Sequence, residues 1–194
     1  MSRVDIVVVG ASLGGLRAVG SILAGLPEGF PVPVVIVQHR QVESEERLTG
    51  LLQKHTGIRV REAEDKEVIA GGNVYLAPTD YHLLVEPGRF SLSTEAPVCC
   101  ARPSIDVLFE SAADSYKDRV LGVVLTGASA DGARGAAKIN QAGGLVVVQA
   151  PETAESRAMP EAALREVPGA RVLRLDAVAA FIAELGVGVE EKGK

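Results

Sequence analysis

The sequence predicts a three-layer α/β domain. Its sheet is doubly wound and mostly parallel, with helices on both faces and an antiparallel hairpin region. Three observations carry that expectation. Nearly continuous apolar runs of strand length, such as "VDIVVVG" and "RVLGVVLTG", alternate with stretches of helical spacing. The chain is 47% hydrophobic but only 4% aromatic, so Val, Leu, Ile and Ala must build the core, which suits a parallel sheet better than an aromatic-rich sandwich. Its 194 residues suffice for one such domain, and two would be cramped.

The elements follow in order. The first strand, "VDIVVVG" (4–10), leads into a helix across "GGLRAVGSILAGL", and Pro27, Gly29, Pro31 and Pro33 punctuate the connection beyond it. "VPVVIVQH" (32–39) lacks polar alternation and reads as a second fully buried strand. In "ESEERLTGLLQKH", Leu48, Leu51 and Leu52 have helical spacing behind an acidic first turn. The texture changes from 58 to 95, where "RVREA", "EVIAGGNVYLAP" and "HLLVEPGRFSLST" read as short strands joined into hairpins by Gly-Gly and Pro-Gly. The alternating pattern then resumes. "SIDVLFESAADSY" is a helix, "RVLGVVLTG" a strand, "DGARGAAKINQAG" a helix and "GLVVVQA" a strand. A short helix at "AMPEAALREV", the run "ARVLRL" and a last helix "AVAAFIAEL" complete one domain over 1–188, with 189–194 expected as a disordered tail.

Composition narrows the function classes. Lys and Arg number 20 against 25 Asp and Glu, a formal charge of −5, and no basic face marks a nucleic-acid binder. No leader pattern opens the chain and no apolar run approaches the roughly 20 residues of a membrane span, so a soluble cytoplasmic protein without membrane insertion is expected. Cys99 and Cys100 are adjacent, and neighbouring cysteines rarely bridge each other. They read as two reduced thiols in preference to a redox or metal site.

In a doubly wound sheet the ligand crevice lies outside the carboxyl ends of the strands. Ser12 follows the first strand, His39 the second, and Asp131 the strand "RVLGVVLTG". A serine hydroxyl needs a base in reach, and the base needs a carboxylate to fix its tautomer, so these three residue types suit a Ser-His-Asp triad. Gly10-Ala11-Ser12-Leu13-Gly14 also satisfies G-x-S-x-G, in which two glycines relieve a strained strand-to-helix bend. The order Ser, His, Asp differs from that of α/β-hydrolases. A dinucleotide fingerprint would want glycine at position 12 and an acid ending the second strand. The latter ends in Gln38-His39-Arg40 instead. An NADP-binding domain with Arg40 on the 2′-phosphate therefore remains an alternative. So does a structural reading in which Ser12 and Asp131 are helix caps and His39 a satisfied strand-end side chain.

The chain resembles the catalytic domain of CheB-type chemotaxis protein-glutamate methylesterases. The likeness rests on "VVVGASLGGLRAV", "VVIVQH", "NVYLAPTDYHL", "RPSIDVLFESAA", "VVLTGASADGARG" and "AMPEAAL", which occur in the family's order. It implies Ser12 as nucleophile, His39 as general base and Asp131 as the orienting carboxylate. It also implies hydrolysis of glutamate methyl esters on cytoplasmic chemoreceptor helices, deamidation of certain receptor glutamines, and no metal or cofactor. Four departures from the family pattern stand out. Leu13 replaces a threonine, and Ala128 and Ser129 replace Met and Gly, with the Ala128 N–H as an oxyanion donor. Arg40 replaces a Met at the rim. The first strand is expected to begin at Val4, with no room before it for a phosphoacceptor receiver domain; either a separate receiver protein is a partner, or the enzyme is constitutively open, or the sequence is trimmed to its catalytic domain. An esterase-fold interaction module with weakened catalysis is a further alternative. Among other candidates, His82 and Asp106 read as structural and His55 as solvated, while Arg17 and Arg134 flank the crevice as exposed cations that could meet an acidic receptor surface.

Overall fold

The computed structural model describes residues 4–39 and 45–187. Arg40 and the tail 189–194 lie outside the described residues. The elements in chain order are β1 (Ile6–Ala11), α1 (Gly15–Gly25), β2 (Val34–Gln38), α2 (Glu45–Gln53), β3 (Arg59–Glu62) and β4 (Asn73–Leu76). Next come the β5 (His82–Glu86) and β6 (Arg89–Ser93) pair, α3 (Ile105–Tyr116), β7 (Val120–Val124) and α4 (Ala133–Gln141). The chain closes with β8 (Leu145–Gln149), α5 (Ala158–Glu166), β9 (Arg171–Leu173) and α6 (Leu175–Val187).

Seven strands form one parallel sheet in the order β3-β4-β2-β1-β7-β8-β9. β1 lies centrally because it has nothing but apolar and glycine residues, all buried. Its side chains alternate between the two faces, as a strand's period of two requires. Val7, Val9 and Ala11 join the core under α1, α2 and α6, with Phe30, Leu52 and Ile182. Ile6 and Val8 join the opposite core under α3, α4, α5 and the hairpin, with Tyr75, Phe90 and Phe109. This is the three-layer architecture expected from the apolar runs.

One local expectation is corrected. β3 pairs with β4 in parallel, so among the described residues only β5 and β6 of this region form a hairpin, around Pro87-Gly88. The Gly71-Gly72 signal has a different cause: a β-carbon on Gly71 would collide with the Pro31 carbonyl, so glycine there permits close backbone approach. Among the described residues no helix is long and apolar enough to cross a membrane.

β1 connects onward to β2 on one side of it and pairs with β7 on the other. The crevice at this reversal of strand order is framed by the residues just beyond β1, β2 and β7.

Candidate active site

Ser12 follows β1 directly and is half-buried. Its N–H donates to Thr126 O at 3.0 Å, and its carbonyl accepts from Gly15 N–H at 2.8 Å, which turns the chain into α1. Gly14 is the N-cap of α1 with φ +77°, and a β-carbon there would lie 2.7 Å from Glu155 Cβ. Both conformation and space thus demand glycine. No side chain caps α1, so the reading of Ser12 as a helix cap does not hold. Gly10 serves another purpose: a β-carbon on it would collide with Ile105 Cγ2, so its absence lets the start of α3 sit against the end of β1.

The start of α3 is where Asp131 is held. His39 Nε2 lies 2.8 Å from Asp131 Oδ2, and that same oxygen accepts from Ile105 N–H at 2.7 Å. Oδ1 accepts from Ser104 Oγ at 2.8 Å and Asp106 N–H at 3.0 Å. The N-terminus of a helix is an anion site, with aligned N–H groups and a favourable dipole, and here the protein's own carboxylate fills it. Burial pushes the Asp131 carboxyl upward. The His39 ring, the Asp106 and Ile105 N–H groups and the Ser104 hydroxyl outweigh burial and hold it below the usual carboxylate range. Asp131 therefore stays ionised and accepts only. It follows that His39 Nε2 carries the hydrogen, and in the neutral ring Nδ1 is the acceptor.

A reciprocal bond set locks the other side. Asp106, in the first turn of α3, accepts from Gly132 N–H at 2.9 Å and Gly135 N–H at 2.8 Å, so it caps α4 as Asp131 caps α3. The N-cap position of α4 belongs to Gly132, with φ +94°, and not to Asp131. Burial, opposed by the Gly135 N–H and reinforced by the neighbouring Asp131 charge, raises the Asp106 carboxyl. His82 is buried; its Nδ1 accepts from Ser104 N–H at 3.2 Å and its Nε2 faces Ala96 O at 3.0 Å. The structural readings of Asp106 and His82 agree with these bonds. Ser104 carries no signal in the sequence beyond its place ahead of a helix, because its bond to Asp131 spans 27 residues.

Ser12 and His39 line one cavity of about 730 Å³, whose wall includes Leu13, Leu16, Arg17 and His55. The structure thus joins His39 to Asp131 and sets Ser12 beside the ring's cavity. Among the described residues Ser12 Oγ has no hydrogen bond to the ring. Catalytic hydrogen bonds are often unmade without substrate and tighten in the complex. His55 is exposed as expected, but it borders this cavity and packs over Gly20. Arg17 is exposed on the wall, whereas Arg134 is tied to Glu110 at 2.5 Å.

The departures at 13, 128 and 129 have distinct surroundings. Leu13 is 54% exposed, so its side chain faces the cavity, while its carbonyl accepts from Thr126 Oγ1 at 2.8 Å. Ala128 is exposed on the loop after β7, next to Gly127, where a β-carbon would lie 2.9 Å from Ser12 Cβ. Ser129 Oγ accepts from Asp131 N–H at 3.3 Å and steadies that loop. The free thiols Cys99 and Cys100 form an exposed two-residue turn closed by Val98 and Ala101. Cys99 Sγ, Asp106 and Asp131 offer ligand atoms within 4.8 Å of one another, but both Asp131 oxygens and one of Asp106 already accept from protein donors.

A family model described as CheB methylesterase matches residues 7–182. The chain belongs to the CheB methylesterase family. A Leptospira interrogans protein is 46% identical over 93% of this chain and 94% of its own length. The protein-glutamate methylesterase/protein-glutamine glutaminase 2 of Anaeromyxobacter dehalogenans is 40% identical over 95% of this chain and 54% of its own length. The Thermotoga maritima CheB methylesterase catalytic domain, solved by crystallography, superposes with a TM-score of 0.89 at 34% identity, covering 95% of this chain and all of that one. Membership makes the chain a carboxylic ester hydrolase of the chemotaxis machinery and favours the esterase over the dinucleotide-binding alternative.

Proposed function

We propose that this chain hydrolyses glutamate γ-methyl esters on the cytoplasmic helices of chemoreceptors, with Ser12 as nucleophile, His39 as general base and Asp131 as the group that orients the base. The observation that carries this reading is the 2.8 Å bond from His39 Nε2 to the helix-held Asp131, with Ser12 on the same cavity wall as the ring. With Nε2–H pointing at Asp131, Nδ1 is the nitrogen left to take the Ser12 proton as Oγ attacks the ester carbonyl. The tetrahedral oxyanion forms beside the Ala128 N–H. The imidazolium then protonates departing methanol, and the neutral ring activates water against the acyl-enzyme to release glutamate. Deamidation of a receptor glutamine follows the same path with ammonia as leaving group. The receptor helices are the partner this chemistry entails, and a separate phosphoacceptor receiver protein is a further partner of the same reading.

A serine-reactive phosphonate should label wild-type protein at Ser12 and leave Ser12→Ala unlabelled. Methanol release from methylated receptor membranes should fall by about 10⁴-fold or more in Ser12→Ala and in His39→Ala, with little further loss in the double variant, because triad members act as a unit. Equal release from wild type and Ser12→Ala would reject the mechanism.

A further inference from the structure

Gln38, the last residue of β2, has one carboxamide nitrogen serving two carbonyls: Nε2 donates to Ser12 O at 2.8 Å and to His39 O at 2.9 Å. One side chain thus ties together the backbones of the nucleophile and the base, which are 27 residues apart in the sequence. Two acceptors on the same side fix the amide's orientation, since only its NH₂ can donate. The consequence is visible on the other side: among the described residues Oε1 is buried without a hydrogen-bond partner. A buried unsatisfied acceptor is costly and needs a reason. Here the reason is the pair of carbonyls opposite it. Space for the amide comes from Gly15, where a β-carbon would collide with Oε1. On the β7 side, Thr126 Oγ1 holds Leu13 O and Thr126 O receives Ser12 N–H, so the elbow is pinned from the ends of both neighbouring strands. His39 is pinned likewise: its N–H donates to Ala11 O at 3.0 Å, its carbonyl accepts from Gln38, and its ring meets Asp131.

We propose that Gln38 is a positioning residue of the reaction, whose NH₂ holds Ser12 and His39 at the separation from which Oγ reaches the ring. This inference rests on Ser12 and His39 being nucleophile and base. Gln38→Met keeps the side-chain length and removes the donor; Gln38→Glu replaces it with a carboxylate that repels both carbonyls. Each should be phosphonylated at Ser12 by the serine-reactive phosphonate about 10²-fold more slowly than wild type, the loss expected from displacing a reacting group by about 1 Å. On methylated receptor membranes the loss should fall on kcat with KM little changed, because Leu13, Leu16, Arg17 and His55 of the cavity wall are untouched. The ratio of Gln38→Glu activity to wild type should rise as pH falls and the carboxyl regains an O–H donor, while the Gln38→Met ratio stays flat. Ser12→Ala is run alongside. If it is inert and Gln38→Met is phosphonylated at the wild-type rate with a wild-type thermal midpoint, the positioning role is overturned and the triad stands. If Ser12→Ala is itself labelled and active, both readings fall. Should Gln38→Met not fold, Gln38→Glu decides alone: a pH-independent ratio to wild type overturns the proposal.

Discussion

Asp131 and Asp106 sit side by side at two helix starts, yet their carboxyls move in opposite directions. Asp131 gathers a ring donor, a hydroxyl and two N–H groups, which outweigh burial and lower it. For Asp106 burial wins over its two N–H groups, and the nearby Asp131 charge adds to the rise. The signs of their linkage to stability follow. A lowered carboxyl stabilises the fold above the ordinary value of about 3.9, and the contribution disappears as pH falls through the lowered folded value. A raised carboxyl does the reverse: stability falls as pH rises above the ordinary value of about 3.9, where only the unfolded chain ionises, and the loss is complete once pH passes the raised folded value. The thermal midpoint of Asp131→Asn should therefore lie below wild type at neutral pH, with the gap closing below about pH 4. Asp106→Asn, whose Oδ1 can still accept from Gly132 and Gly135, should gain on wild type as pH rises from about 4 towards 7. Midpoints of both variants across that range check the two signs together. Matching pH trends would refute the opposite assignments.

At the scale of elements, the site depends on how closely α3 approaches β1. Gly10 is the point of contact, since a β-carbon there would run into Ile105 Cγ2, and Ile105 N–H is one of the donors on Asp131. Gly10→Ala should cost about 1–3 kcal/mol, as overpacking of a close-packed core does. It should also weaken catalysis by moving the helix start away from Asp131. Urea unfolding gives the first quantity and phosphonate labelling the second, and unchanged values for both would disprove the role of this contact. The G-x-S-x-G pattern made Gly10 and Gly14 legible as residues of a sharp turn, but the cause is different at each. Gly14 takes φ +77°, while Gly10 makes room for a helix some 95 residues further along. The Gly71-Gly72 pair was misleading for the same reason. Its composition reads as a hairpin turn, whereas its partner is the Pro31 carbonyl, which no local window contains.

For the whole molecule, one sheet separates two apolar cores, and β1 contributes alternate side chains to both. Neither core can persist once the strands separate, so unfolding should be a single transition. The chain has no tryptophan, which allows each layer its own probe. Phe30→Trp reports on one core and Phe109→Trp on the other, both wild-type residues being fully buried. After correction for each variant's stability, the fluorescence transitions in urea should coincide with the loss of circular dichroism. Probe-dependent midpoints within one variant would show that the layers come apart separately.

The sequence by itself determined the alternation of strands and helices, the wholly apolar centre of the sheet, and the placement of Ser12, His39 and Asp131 just beyond three strands. These are properties of local periodicity and of turns, which a short window of residues contains. Only the tertiary structure decided that Asp131 belongs to the start of α3, that Ser104, Ile105 and Asp106 hold it, and that Gln38 joins Ser12 to His39. Those bonds run between side chains and backbone groups brought together by the packing of strand ends against helix starts. Hydrogen bonding of this kind is short-ranged in space and has no period along the chain, so nothing in the order of residues announces it.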